Sequence, residues 1–280
     1  MTPEEKVKNY FQGFESRYGY KLILKDAQHF GYYPNRNDNI SETEAQKELH
    51  NLLANNLELD KPKRVLDAGC GRGVVACDLA VRFGANIEGI DITPYIVKKA
   101  QKRVTNLGLE DKVNIQEGDY SRINFPDESF DAVYTVETLS HAGDLDLVLS
   151  EFYRILKPGG IGVFIEYEIA PFNQFNNYEI DTYSLVKGGS AMNSLDEFIE
   201  GNFIKKLEST RLTLISDKDI TKNRSKSMKR LYSLALLPYQ VIKLLGLRKQ
   251  FINTTAGVEF YKLNEKNLFR YHTYKVVKND

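Results

Sequence analysis

The chain has 280 residues, 42% of them hydrophobic, enough for a sizeable core and normal for one α/β unit with an added cap. Lysine plus arginine and aspartate plus glutamate each total 38, so the formal net charge is zero. That balance disfavours a nucleic-acid substrate, whose phosphates call for a basic excess.

Cys70 and Cys77 lie seven apart with no second pair and no nearby histidine, which is neither a zinc pattern nor a disulfide framework. No metal site is expected. The start, Met1 to Lys6, is charged and lacks the apolar centre of a secretory leader. The longest apolar stretch, Leu231 to Leu247, contains Pro238 and Lys243 and is too short to span a bilayer comfortably. A cytoplasmic or membrane-peripheral protein is expected.

Residues 1–60 read as helical and aromatic. Tyr10, Phe11, Phe14 and Tyr18 fall at helical spacing and give one apolar face. Gln28 to Pro34 reads as a loop. Ser41 opens a helix, with Glu44 at the capping-box position, running to about Asn55. From Lys63 strands and helices alternate. The strands are Arg64 to Ala68, Asn86 to Asp91, Val113 to Glu117, Phe130 to Val136 and Ile161 to Tyr167. The helices between them are Val74 to Phe83, Pro94 to Leu107 and Leu145 to Leu156. Helices of ten residues or more between strands mean right-handed crossovers and a parallel sheet. Past Pro171 the alternation fails. Asn173 to Asn177 is turn-prone, Leu195 to Leu207 looks helical and Leu212 to Ile215 looks like a strand. Tyr271 to Val277 alternates like an edge or closing strand.

The strongest local signal is Asp67-Ala68-Gly69-Cys70-Gly71-Arg72-Gly73, after a strand and before a helix. Glycines let the backbone approach a ligand closely, and the helix start offers unpaired amides. Asp67 suits the ammonium of an amino-acid cofactor, directly or through water. Asp91 ends the second strand, where a carboxylate takes ribose hydroxyls. After the third strand comes Gly118-Asp119-Tyr120, where Asp119 can accept from an adenine amino group beside the Tyr120 ring. Leu156-Lys157-Pro158-Gly159-Gly160 reads as a turn before the fifth strand. The bland reading, in which the glycines are turns and the aspartates caps, has to explain four motifs in register.

This set resembles the class I S-adenosylmethionine-dependent methyltransferases over residues ~60–170, a span typical of a nucleotide-binding unit. The resemblance implies an α/β fold, a Rossmann-like, mainly parallel seven-stranded sheet with a helical N-terminal segment and a C-terminal cap insertion. It implies one domain over 1–280, with a lid (1–60), a cofactor core (61–170) and a substrate cap with closing strands (171–280). It also implies S-adenosyl-L-methionine as cofactor, held along Asp67, Ala68, Gly69, Cys70, Gly71 and Gly73. Asp91, Ile92, Gly118, Asp119, Tyr120 and Val136 would continue that surface, and Tyr32 and Tyr33 would close over it or anchor the N-terminal segment.

After the fourth strand, Glu137-Thr138-Leu139-Ser140-His141-Ala142 is similar to the Glu-Ala-Thr-x-His-Ala segment of sterol C-methyltransferases, and Ile199-Glu200-Gly201-Asn202 is similar to another of their elements. The Asn/Asp-Pro-Pro-Tyr motif of nucleic-acid amino methyltransferases is missing. His29-Phe30-Gly31-Tyr32-Tyr33 departs from the sterol pattern toward tocopherol-type small-molecule enzymes. The likeness implies methyl transfer to carbon of an isoprenoid, sterol or other lipid-like acceptor. Glu137 and His141, four apart, are candidate bases, alone or as a pair on one helical face; otherwise Glu137 braces the cofactor and His141 packs. Glu166, Tyr167 and Glu168 are expected to face the same cleft. An O- or N-methyltransferase of a secondary metabolite and a non-catalytic cofactor-binding subunit are the rival readings. Residues 218–249 carry nine basic residues and one acidic residue beside an apolar run. That stretch suits an anionic membrane surface, a diphosphate, or a core helix with a solvated flank.

Overall fold

The computed structural model describes residues 1–23, 26–35, 39–61 and 63–279. Three helices come first: α1 (Pro3–Gln12), α2 (Phe14–Ile23) and α3 (Glu42–Asn56). Thr2 and Ser41 each close a capping box, with Glu5 and Glu44 respectively. Gly13 separates α1 from α2. The four aromatics read as one face therefore sit on two helices, and Phe14 and Tyr18 are 75% and 51% exposed.

The alternating region folds as expected. Strands β1 (Arg64–Ala68), β2 (Asn86–Asp91), β3 (Val113–Glu117), β4 (Phe130–Val136) and β5 (Leu156–Ile169) pair in parallel. Helices α4 (Val74–Phe83), α5 (Pro94–Leu107) and α6 (Leu145–Ile155) connect them. β6 (Leu212–Asp219) and β7 (Phe269–Lys278) complete a seven-stranded sheet in the order β3-β2-β1-β4-β5-β7-β6. The order reverses between β1 and β4, so a crevice opens beyond their carboxyl ends, where such sheets bind ligands.

β7 is not an edge strand. It lies antiparallel between β5 and β6, and β6 forms the solvated edge. The reading of Leu195 to Leu207 as one helix also changes. Gly201, at φ +79°, divides it into a 3₁₀ turn (Leu195–Phe198) and α8 (Asn202–Ser209). The stretch 156–160 is a bulged entry to β5, marked by a register shift on β4 between Phe130 and Ala132. Three helices escaped the sequence reading in extent or existence: α7 (Asn177–Gly189), α9 (Thr221–Leu244) and α10 (Ile252–Glu265). α9 runs through Pro238 without ending.

One hydrophobic core joins all three segments. Leu49 and Leu53 of α3 and Phe152 of α6 pack with Phe164 of β5, Met228 of α9 and Phe260 of α10.

Candidate functional site

A cavity of about 840 Å³ opens at the switch point. Its cofactor end is lined by Gly69, Gly71, Asp91 and Ile92, with Asp119, Tyr120 and Val136 continuing the wall. Gly69 holds φ +86°, and a Cβ there would lie 2.8 Å from the Thr138 side chain. Gly71, at φ +52°, points its amide at Asp91 Oδ2 (3.1 Å), while Asp91 Oδ1 accepts from the Thr93 amide (2.8 Å). Burial pushes the Asp91 carboxyl up. The Asp119 carboxylate accepts from the Ser121 amide, and the Tyr120 hydroxyl donates to the Thr138 carbonyl at 3.1 Å. A glycine cradle beside two carboxylates and an aromatic ring at strand ends fits an adenosyl amino acid.

Other expected cofactor residues stand behind that wall. Asp67 is 3% exposed and accepts from the Tyr134 hydroxyl at 2.7 Å. Burial raises its carboxyl to about 7, against that bond. Ala68 is part of buried β1, and Cys70 packs on β2, where a Cβ on Gly89 would meet its sulfur at 3.2 Å. Gly73 lets α4 approach α5, since a Cβ would lie 3.2 Å from that of Ala100. Gly118 serves close packing on Ile90 in the same way.

Tyr33 does not line the cavity. Its amide donates to the Asn223 carbonyl, its hydroxyl donates to Glu42, and Lys226 lies over its ring. It anchors the N-terminal segment between α3 and α9, which replaces the lid reading. The segment reaches the glycine turn instead through Gln28, which lines the cavity and accepts from the Arg72 amide at 3.1 Å. An Arg72–Asp26 ion pair fastens it.

Glu137 follows β4 directly with φ +57°, unusual for a residue with a Cβ. Its carboxylate collects three donors from distant segments. Oε1 accepts from the Phe30 amide (3.2 Å) and the Tyr271 hydroxyl (2.7 Å), and Oε2 accepts from the Tyr167 hydroxyl (2.6 Å). Arg224, 1% exposed, stacks over Tyr271 at 4.3 Å and donates to Asn264. Its Nε and Nη1 have no hydrogen-bond partner among the described residues.

His141 closes a 3₁₀ turn, Leu139–His141, so it shares no α-helical face with Glu137, and among the described residues no hydrogen bond joins the two. Its Nδ1 lies 3.0 Å from the Ala191 carbonyl, which can only accept. Nδ1 therefore carries the hydrogen and Nε2 the lone pair. Burial lowers its pKa to about 4. The rings of Tyr10 and Phe11 pack against it.

Consecutive strand residues point to opposite faces, which corrects the joint reading of residues 166–168. Tyr167 lines the cavity. Glu166 points away and is fully buried, its Oε1 accepting from the Thr138 and Leu139 amides at 2.7 Å each. Burial raises this carboxyl to about 8. Glu168 joins Asp217 and His272 in a cluster whose ligand atoms all lie within 4.8 Å. Both imidazole nitrogens there face carboxylates, at 2.6 and 3.1 Å, and Arg270 bonds Glu168, so the cluster is an ion-pair network already supplied with cations.

The far end of the cavity is apolar. Val7 and Phe11 of α1 face Leu231, Ala235 and Ile242 of α9 and Phe260 of α10. Signals for Phe30, Arg224 and Tyr271 were absent from the sequence, because only the fold brings positions 30, 224 and 271 to Glu137.

Comparison with known proteins fits this architecture. A family described as methyltransferase domain matches residues 66–164. An S-adenosyl-L-methionine-dependent Diels-Alderase of Talaromyces variabilis is 31% identical over 264 residues, spanning 92% of this chain and 90% of that protein. A sterol 24-C-methyltransferase of Pneumocystis carinii is 34% identical over 153 residues, 55% of this chain and 40% of that protein. Among solved structures, a geranyl diphosphate C-methyltransferase of Streptomyces coelicolor A3(2) shares the fold with a TM-score of 0.75 at 16% identity, over 99% of this chain and 98% of that one. The cyclopropane synthase MmaA2 of Mycobacterium tuberculosis does so with a TM-score of 0.80 at 13% identity, over 98% of each chain. The sheet order, the glycine cradle and the relative matched along nearly the whole chain converge: the chain belongs to the class I S-adenosylmethionine-dependent methyltransferases.

Proposed function

We propose that the protein transfers a methyl group to carbon of an apolar, lipid-like small molecule of the isoprenoid or sterol kind. The observation that carries this reading is the continuous cavity whose cofactor end runs directly into an aromatic and aliphatic chamber. Bound S-adenosylmethionine supplies an electrophilic methyl on a sulfonium sulfur. Gly69, Gly71, Asp91 and Asp119 would hold it, and Asp67, bonded to Tyr134, would stand behind the glycine turn. The chamber excludes water and aligns the acceptor, which removes much of the entropic barrier.

Methylation of an alkene leaves positive charge on the acceptor. The Glu137 carboxylate, fixed by three donors, and the faces of Phe30 and Tyr167 stabilise that charge. Three donors already hold Glu137, so it acts electrostatically. The proton leaving the methylated acceptor goes to His141 Nε2. A base of low pKa suffices, because a proton beside a carbocation is strongly acidic, and it stays unprotonated at neutral pH. Peripheral contact of residues 218–249 with the cytoplasmic face of a membrane belongs to the same reading, since such acceptors partition into bilayers.

A second reading has a specific observation behind it. The Diels-Alderase matches across the lid and cap, which build the chamber, while the sterol enzyme spans about half of this chain. In that reading the cofactor stays intact and the chamber folds a polyene for cycloaddition. The protein should be incubated with methyl-labelled cofactor and a panel of sterols, prenyl diphosphates, prenylated quinols and phenols. Label on carbon supports the first reading. Label on oxygen or nitrogen alone refutes its carbon-specific part. Cyclisation of a linear polyene without label transfer establishes the second.

A further inference from the structure

α9 carries two apolar stripes where a packed helix needs one. The first, with Met228, Ala235, Tyr239 and Ile242, is buried. The second recurs at helical spacing on the opposite side: Leu234, Leu237, Val241 and Leu244 are 53%, 77%, 55% and 86% exposed, and Leu245 beside them is 62% exposed. Five exposed apolar groups, Leu234 and Val241 of α9, Phe14 and Tyr18 of α2, and Phe251, also line the cavity. The exposed patch therefore borders the cavity. The face continues toward the helix start through exposed Lys222 and Lys229 and half-buried Lys226 and Arg230, and exposed Lys243 and Lys249 lie near its other end. No aspartate or glutamate occurs between Lys222 and Lys249, although the whole chain has no net charge.

We propose that this face of α9, with the tip of α2, docks on an anionic lipid bilayer and that the acceptor enters the cavity from the lipid. The occupant follows from the two halves of the face. Leucines separated by a turn of helix insert at the boundary of headgroups and acyl chains, and lysines beside them meet anionic headgroups. A helix of 24 residues is about 36 Å long, so it would lie in the interface plane. The mouth then opens onto hydrocarbon, and an apolar acceptor need not cross water. This rests on the proposed lipid-like acceptor.

Flotation of the full chain with vesicles of phosphatidylcholine alone, and with vesicles containing added phosphatidylglycerol, tests it. Binding to the anionic vesicles is expected, weakened at least about tenfold by the double variant Leu237→Asp with Leu244→Asp. Neither side chain lines the cavity, so cofactor affinity by calorimetry should stay unchanged and report an intact fold. Equal binding of wild type and variant, or no binding, overturns the proposal. So does a wild-type dimer in sedimentation that the variant dissolves, since the face would then belong to a second copy. Turnover of a detergent-dispersed acceptor separates the two claims: docking can fail while methyl transfer persists, and the reverse.

Discussion

The hydroxyl of Tyr271 on β7 donates to Glu137 at the end of β4 across 2.7 Å, although 134 residues separate them. β5 lies between these strands, and its Tyr167 donates to the same carboxylate. One carboxylate is thus pinned by the loop before α3, by β5 and by β7, and Arg224 roofs the Tyr271 ring. Glu137→Gln keeps the shape and loses the charge. Turnover should fall about a hundredfold or more, the scale of a lost electrostatic stabiliser, with cofactor affinity within about twofold. Tyr271→Phe should cost less, because two donors remain. A Glu137→Gln enzyme with near-normal kcat would remove the carboxylate from the chemistry.

His141 should leave no limb in the pH–rate profile between pH 5 and 8, because its folded pKa of about 4 keeps it neutral throughout. Its effect falls on stability. The unfolded imidazole takes a proton near pH 6.5 and the folded one does not, so stability drops as pH falls from about 6.5 to about 4. His29, pushed to about 3 first by burial and then by His50, adds to the same loss. Melting curves of wild type and His141→Gln across that window should converge at the acid end.

Glu166 has the opposite sign. Its folded pKa of about 8 exceeds the unfolded value, so its contribution to stability is greatest at low pH and declines as pH rises toward 8. Glu166→Gln retains an oxygen for the Thr138 and Leu139 amides without a buried acid to ionise. The variant should gain on the wild type as pH rises from about 4.5 to 8, reaching on the order of 5 kcal/mol. Glu166→Leu removes the acceptor for both amides and should destabilise at every pH. Chemical denaturation at several pH values distinguishes the two.

Burial alone would push His272 down, but its bonds to Asp217 and Glu168 outweigh that and hold it at about 9. The stability it supplies is complete below about pH 6.5 and disappears as pH passes 9. His272→Gln should lower Tm at pH 6 and have little effect above pH 10, as calorimetric scans would show.

Two glycines of one turn should part company under the same substitution. Gly69→Ala forces a Cβ to 2.8 Å from Thr138 at φ +86° and should abolish cofactor binding. Gly73→Ala meets Ala100 at 3.2 Å behind the cavity and should cost about 1–2 kcal/mol of stability with cofactor affinity retained. Calorimetric titration of each variant separates them.

The parallel half of the sheet was legible because each strand is a short buried run and each crossover has a cap or a glycine stop, as at Thr93-Pro94 and Gly108. The cap was not. α9 hides its period by being apolar on two sides and by carrying Pro238, and α10 mixes buried Glu259 and Asn264 into its inner face. Alternation along β7 reports which side chains are buried, not how many strands flank it, so it left edge and closing strand undivided, and the strand lies inside the sheet. The cofactor residues were readable because motif and strand end coincide in sequence. Phe30, Arg224 and Tyr271 carry no local mark, and Tyr33 was misplaced because an aromatic pair beside a glycine looks alike in a lid and in an anchor.

Pro238 has no amide hydrogen, so the Leu234 carbonyl one turn earlier lacks its helical donor. α9 is continuous in shape but has one missing rung between a start tied to Tyr33, Glu42 and Gly31 and an end that is mostly solvated. Those two lengths need not open together. Amides beyond Pro238 will exchange hydrogen sooner than those around Arg224, so the cavity mouth fluctuates while the floor beneath it stays closed.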